Sequence, residues 1–512
     1  MSLLIDNLNS ARKSGVPLIA IVTQDQPAMV GAIEKGLPQQ GPWVRWDCIN
    51  GLGPLNEEAK KILQGMGDAL RDSHRPTMAL RLLLTLPPKS LVFFFNSHPL
   101  VCGDRADPTV AQAIQNLREP FKEDKRSLIL LGPSFFDLRE ELRADVVTLD
   151  EPLPTDEQLG TLITELHESA SKTLDKKKLP LMVDAVRGLP AMFTVEQVTA
   201  MSFRAKGLDM DALWERKQNA INATQGLTIT KSKLQYADLA GMDVVMDYLN
   251  RLQAGPNPFR LVLFWDEIEK MMGGAGGDQT DSSGVSSDQL AVCLKVMERL
   301  RWAGIILLGV PGSGKTALAE ATSGEFDVPK IEQDFGAMKG RYVGDSEGAI
   351  RQAFRVIEGI GGSDVLVIAT CNKLKSLPAE FRRRFWLGLW YFDVPSLTEQ
   401  EPIKRIYEKK YALDTKGKHG EWPDTLNWTG AEIRNCADLA VRLGCDLKYA
   451  SRFVVPVAKA DPESIDALRD VADGKFLSVN SSGRTSNDDG TWTREKAQVV
   501  IRKSTGRRAI ES

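Results

Sequence analysis

An apolar run at 304–309 (GIILLG) passes straight into Gly309-Val-Pro-Gly-Ser-Gly-Lys-Thr316 and then into a helix-forming stretch at 317–321. Glycines at this spacing let backbone N–H groups turn inward around an anion, and the N-terminus of the next helix adds positive potential. Strand, glycine-rich turn and helix, in that order, are the context in which GxxxxGK[ST] works as a phosphate-binding loop. The pattern predicts that Gly309, Val310, Pro311, Gly312, Ser313, Gly314, Lys315 and Thr316 cradle the phosphates of a nucleotide. Lys315 would reach the outer phosphates and Thr316 would offer its hydroxyl to Mg2+. Such a loop belongs to a parallel α/β sheet.

A second motif completes the chemistry. Leu261-Val-Leu-Phe-Trp-Asp-Glu267 is an apolar strand that ends in two carboxylates. Phosphoryl transfer to water needs one acid to hold the Mg2+ shell, here Asp266, and one to orient and polarise the attacking water, here Glu267. Alone this pattern is weak, because strands often end in an acid; beside a phosphate loop it is strong.

Composition narrows the remaining classes. With 512 residues the chain exceeds the size at which single cores stop growing, so more than one domain is expected. Lys+Arg of 65 against Asp+Glu of 68 leave a net charge of −3, which argues against a nucleic-acid coat. The longest apolar runs, 90–95 and 304–309, are strand-sized, so no membrane partner is expected. The opening MSLLIDNLNSARKSG has no basic stretch ahead of an apolar core, and a cytoplasmic protein is expected. Six scattered cysteines and four histidines, none at metal-ligand spacing, predict reduced thiols and no zinc site.

Along the chain, 17–22, 90–95, 127–131 and 146–149 read as buried parallel strands separated by helix-like segments at 56–71 and 108–119. Strand signals vanish from 155 to 223. A second α/β pattern starts near Asp238, with strands at 260–265, 304–308, 365–369 and 389–392, and turns helical from Thr398 to about Asp473. The Gly/Ser/Asp-rich stretch 273–289 reads as an exposed loop, and the tail from Lys475, with eight Lys/Arg against four Asp/Glu, as a flexible basic terminus. The halves resemble each other: Asp150-Glu-Pro-Leu-Pro-Thr-Asp-Glu-Gln lines up with Asp393-Val-Pro-Ser-Leu-Thr-Glu-Gln, and SLVFFFNS with RLVLFWDE. The first half has no Gly-Lys-Thr after Thr23-Gln-Asp-Gln-Pro and ends its strand in Asn96-Ser97. Five segments are expected: a degenerate α/β domain at 1–154, a helical lid-like region and linker at 155–235, an ATPase core at 236–395, a helical lid at 396–474 and the tail at 475–512.

Residues from about 236 to 460 resemble an AAA-family ATPase module. Tyr236-Ala-Asp-Leu-Ala-Gly-Met resembles the family motif beside the adenine, which implies a contact from Leu239. Gly340-Arg-Tyr-Val-Gly-Asp-Ser-Glu resembles the stretch lining the central pore, so Tyr342 and Val343 would grip extended polypeptide. Ile368-Ala-Thr-Cys-Asn372 resembles the sensor strand, making Asn372 a catalytic candidate. Leu377-Pro-Ala-Glu-Phe-Arg-Arg-Arg-Phe385 resembles the arginine-finger segment, with Arg382 and Arg384 as candidates, and Thr429-Gly-Ala-Glu-Ile resembles the start of the lid helix. The whole chain but the tail is similar to uncharacterised AAA proteins of cyanobacteria, algal chloroplasts and phages. The resemblance implies a P-loop NTPase (AAA+) fold, Mg-ATP, a homo-oligomeric ring (a hexamer) and a protein substrate or adaptor.

Two departures stand out. In the family the phosphate loop precedes the Asp-Glu strand, whereas here Asp266 and Glu267 precede Lys315. A parallel sheet tolerates that exchange, because each strand carries its own loop to the same edge. The triplet Arg382-Arg-Arg384 is also tighter than the family's spacing, which leaves open which arginine acts on a neighbouring subunit. Three functions compete: a ring ATPase that remodels or threads protein, a nucleotide-gated switch or assembly scaffold with slow turnover, and, more weakly, a DNA-handling loader.

Overall fold

The computed structural model describes residues 2–103, 106–135, 137–189, 191–205, 207–269, 285–338, 343–372, 379–472 and 476–479. They fall into two compact units, one drawn from residues 1–217 and 340–348 and the other from residues 218–339 and 349–512.

The first unit is built on six strands: β1 (Leu18–Val22), β2 (Trp43–Asp47), β3 (Gly51–Pro54), β4 (Leu91–Phe94), β5 (Ser127–Gly132) and β6 (Val147–Asp150). Their spatial order is β3-β2-β4-β5-β1-β6, parallel except for the β2–β3 hairpin. Strands that are apolar at every position need cover on both faces, and alternate residues supply two separate cores. Leu18, Ala20, Val92, Phe94, Leu128 and Leu130 pack one way. Ile19, Ile21, Leu91, Phe93, Ile129 and Leu131 pack the other, under helices Ser2–Lys13 and Gln26–Gly36. At the edge where a nucleotide would sit, side chains bond across the strand ends, and the Thr23 hydroxyl donates to the Glu151 carboxylate at 2.6 Å. The Gln26 amide donates to Asn96 Oδ1 at 2.8 Å and accepts from Asn96 N–H at 2.7 Å. Helices at Asp156–Ser169, Leu179–Val186, Met192–Ala200 and Met210–Asn222 follow, interrupted by a short hairpin of β7 (Phe203–Arg204) and β8 (Gly207–Leu208).

The second unit adds β9 (Leu227–Thr230), β10 (Leu261–Trp265), β11 (Ala303–Gly309), β12 (Lys330–Gln333), β13 (Val365–Cys371), β14 (Leu389–Phe392) and β15 (Leu477–Ser478). The order is β15-β14-β11-β13-β10-β12-β9, with only β9 antiparallel to its neighbour. The spatial run β12-β10-β13-β11-β14 parallels β2-β4-β5-β1-β6 of the first sheet, strand for strand. The two differ in chain order alone: β10 comes before β11, whereas β4 comes after β1.

Beyond β14 the chain forms helices Leu397–Tyr411, Gly430–Leu443 and Leu447–Ala450 around Ile403, Trp428, Ile433, Cys436, Ala440 and Leu447, followed by helix Pro462–Ala472. Fully buried Gln400 fixes the start of this layer, donating to the carbonyls of Pro395, Thr425 and Trp428.

Four features differ from expectation. Strands β2, β3, β9 and β12 are additional, as is the β7–β8 hairpin within the stretch 155–223 that shows no strand signal, and β9 places residues 227–230 in the second sheet rather than in a linker. Helix 56–71 gives way to a 3-10 turn at Gly67–Leu70, and helix 108–119 ends at Gln115. Residues 476–479 are not a loose tail, since β15 hydrogen-bonds along β14 and Phe476, Ser478 and Val479 are buried. Of the loop expected at 273–289, residues 273–284 lie outside the described residues, and Val285 already begins helix Val285–Leu300. All six cysteines are free thiols. No helix among the described residues is long and apolar enough to cross a membrane.

Candidate active site

Strand β11 delivers Gly309 to the sheet edge, and helix Lys315–Glu325 starts six residues later. The turn between them needs its glycines. Gly312 and Gly314 hold φ of +80° and +97°, in the left-handed region that costs an L-residue about 1–2 kcal/mol. Gly309 meets the β14 backbone so closely that an added Cβ would lie 2.2 Å from the Phe392 carbonyl oxygen. Lys315 is buried, and its ammonium donates to the carbonyls of Gly309 (2.8 Å) and Val310 (3.0 Å). Burial pushes this ammonium down to about 8, opposed by the charges of Glu269, Asp266, Cys371 and Glu267. Those groups are therefore its electrostatic neighbours. Thr316, next in the helix, is exposed.

The carboxylates come from β10, which is separated from β11 by β13 alone. Thr370 near the end of β13 locks the pair. Its hydroxyl donates to Asp266 Oδ1 at 2.6 Å and accepts from Glu267 N–H at 2.8 Å. Glu267 sits at φ +48°, a strained setting for a non-glycine residue. Asn372 is clamped between two acids: its backbone N–H donates to Glu269 Oε1 (2.9 Å) and its side-chain amide to Glu267 Oε1 (3.2 Å). Buried acceptors Asn372 Oδ1 and Glu269 Oε2 have no hydrogen-bond partner among the described residues. A hydroxyl or water proton would satisfy them.

A cavity of about 290 Å³ opens over the loop. One part of its wall is Gly312–Ala317; the other is apolar, with Leu239, Met242, Phe392, Ile403, Ile406 and Val479. Tyr407, whose phenol burial pushes up, and exposed Arg434 complete it from the helical layer. Asp266, Glu267 and Asn372 are not part of this wall. The first helix turn of that layer reaches the loop directly, where Ala431 N–H donates to the Gly312 carbonyl at 3.1 Å.

Other expected residues fare differently. Arg382 and Arg384 lie in helix Ala379–Arg384, and Arg384 forms an ion pair with Glu298 of its own chain at 2.6 Å. Tyr342 lies outside the described residues; Val343 begins helix Val343–Gly361, but its side chain is also outside them. Sequence reasoning missed Thr370, Glu269, Arg434 and Val479. Glu269 alone left a signal, as a third acid in Asp266-Glu-Ile-Glu269.

Residues 305–360 match the model of the ATPase family associated with various cellular activities (AAA), and residues 4–151 that of the SpoVK-like AAA ATPase N-terminal domain. The chain is 21% identical over 521 residues to the uncharacterized AAA domain-containing protein ycf46 of Guillardia theta, covering 90% of this chain and 93% of that one. It is 28% identical over 276 residues to a spastin homolog of Caenorhabditis elegans, covering 48% and 50%. It is also 24% identical over 195 residues to the ATP-dependent zinc metalloprotease FtsH of Ureaplasma parvum, covering 29% and 26%.

Proposed function

We propose that this chain, a member of the AAA ATPases, hydrolyses Mg-ATP in the cytoplasm as a homo-oligomeric ring, a hexamer, and uses the energy to remodel or thread a protein substrate. One observation carries the reading: a buried lysine at a glycine-rich helix start shares its surroundings with a braced Asp-Glu pair from a nearby parallel strand.

Each role follows from that geometry. The loop N–H groups and Lys315 bind the phosphates, and nucleotide charge offsets the cost of burying the ammonium. Thr316 and Asp266 are hard oxygen donors of the kind Mg2+ takes, and they would hold it; the ion supplies charge neutralisation on the phosphate oxygens. Glu267 accepts a proton from the attacking water. Its left-handed backbone and the Asn372 amide aim its carboxylate, while Thr370 keeps Asp266 and Glu267 in register. Leu239 and the apolar wall receive the adenine. Arg382 or Arg384 reaches the neighbouring subunit's phosphate, which for Arg384 requires release from Glu298. Tyr342 and Val343 grip the substrate in the pore.

The test combines three variants of the full chain. Lys315→Ala should abolish ATP binding by calorimetry. Glu267→Gln should still bind ATP, form a ring visible by electron microscopy and lose about a hundredfold or more in phosphate release. Tyr342→Ala should keep ATP hydrolysis and lose substrate remodelling. Undiminished hydrolysis in both Lys315→Ala and Glu267→Gln would refute the site, and a monomer at saturating ATP would refute the ring.

A further inference from the structure

The chain returns to the sheet after the helical layer, and the place where it lands bears on nucleotide selection. From helix Pro462–Ala472 it comes back as β15, parallel to β14, with Leu477 beside Trp390 and Ser478 beside Tyr391. Val479 N–H then reaches the Tyr391 carbonyl at 3.4 Å. Val479 is 2% exposed and belongs to the apolar cluster of Met242, Leu318 and Phe392, yet it also forms part of the cavity wall.

The same spot is where the chain leaves the sheet. Phe392 ends β14, and Asp393, another wall residue, is gripped by Arg469 of helix Pro462–Ala472 through three contacts of 3.0–3.1 Å. Departure and return of the helical layer are thus fastened together at the apolar part of the cavity, opposite in character to the phosphate loop. An aromatic base needs flat apolar surface on its faces, and aliphatic carbons supply it through dispersion and dehydration.

We propose that Val479, held in place by β15, is a base-contacting residue of the nucleotide site, so that the segment following the helical layer is part of what the site recognises. This rests on the nucleotide-binding reading above. Lys315 and the loop engage the phosphates whatever base is attached; Val479 engages the base alone. The two contributions are therefore separable by ligands that share phosphates and differ in having a base.

The experiment titrates ADP into the full chain by calorimetry and competes it with inorganic tripolyphosphate, for wild type, Val479→Ala, Val479→Phe and Lys315→Ala. Val479→Ala should weaken ADP about three- to fivefold by removing two methyl groups from the contact. Val479→Phe, which fills the space meant for the base, should weaken ADP about tenfold or more. Tripolyphosphate should compete within twofold of its wild-type strength in both, whereas Lys315→Ala should lose both ligands. Wild-type ADP affinity in Val479→Phe, beside loss in Lys315→Ala, would overturn the inference and leave the nucleotide reading standing. Equal weakening of ADP and tripolyphosphate in Val479→Phe would also overturn it, since the residue would then act through the fold. Failure of the wild type to bind ADP would overturn both.

Discussion

Lys217→Met is expected to stabilise the first unit in mild acid and to lose that advantage as the pH rises. Lys217 lies in helix Met210–Asn222, 1% exposed, with its ammonium donating to the Asp184 carbonyl at 3.0 Å and 5.4 Å from the Trp214 ring. Burial, then the charge of Arg187, pushes it from an ordinary 10.5 down to about 7, against the pull of Asp184. Between those values the unfolded chain binds the extra proton, so stability rises with pH, and the cost of the buried charge is fully present below pH 7. At about 1.36 kcal/mol per pH unit the full cost is about 5 kcal/mol as an upper limit. Methionine matches the length and carries no charge, but it orphans the Asp184 carbonyl at a cost of about 1–3 kcal/mol. The net gain at pH 6 is therefore about 2–4 kcal/mol, shrinking by about 1.4 kcal/mol per pH unit above pH 7 until the two proteins are level near pH 9. Urea denaturation of the full chain, followed by peptide-resolved hydrogen exchange across helix Met210–Asn222, measures the gap at each pH. A gap that stays constant from pH 6 to 9, or a variant less stable than wild type at pH 6, would refute the reasoning.

Three further outcomes follow from the candidate site. Thr370→Val keeps the shape but unfastens Asp266 and Glu267; steady-state phosphate release should fall about tenfold, with ADP affinity changed less than threefold. Gly314→Ala places a Cβ 2.6 Å from Met242 Cε at φ +97°, so ADP binding by calorimetry should be lost along with about 1–2 kcal/mol of stability in urea. Glu269→Gln retains an acceptor for the Asn372 N–H and should keep most of the hydrolysis rate, whereas Glu269→Ala should lose about tenfold or more in kcat with KM for ATP nearly unchanged.

The phosphate loop and the Asp-Glu strand were legible because residue type, spacing and the flanking apolar run together leave little freedom. The same holds for β1, β4, β5, β10, β11 and β13, which are continuous apolar runs. Strand β12 was hidden because Lys-Ile-Glu-Gln reads as polar; in place, Lys330 lies buried over the Phe264 ring at 5.3 Å and Gln333 accepts from the Trp265 indole. Strand β2 shows no clean alternation, since its two tryptophans, Trp43 and Trp46, fall on opposite faces. Two-residue β15 carries no periodicity at all. Thr370 and Val479 acquire their place only when distant strands come together, and nothing local marks them.

The displaced position of β10 also bears on how the second unit assembles. Its neighbours on either side, β12 and β13, are both made after it, so Leu261–Trp265 emerges from the ribosome with neither strand yet synthesised. Loop closure over that span has to precede any reward from the pairing, which makes for slow acquisition of the native sheet. Until Val365–Cys371 arrives, a bare apolar ribbon is open to wrong partners.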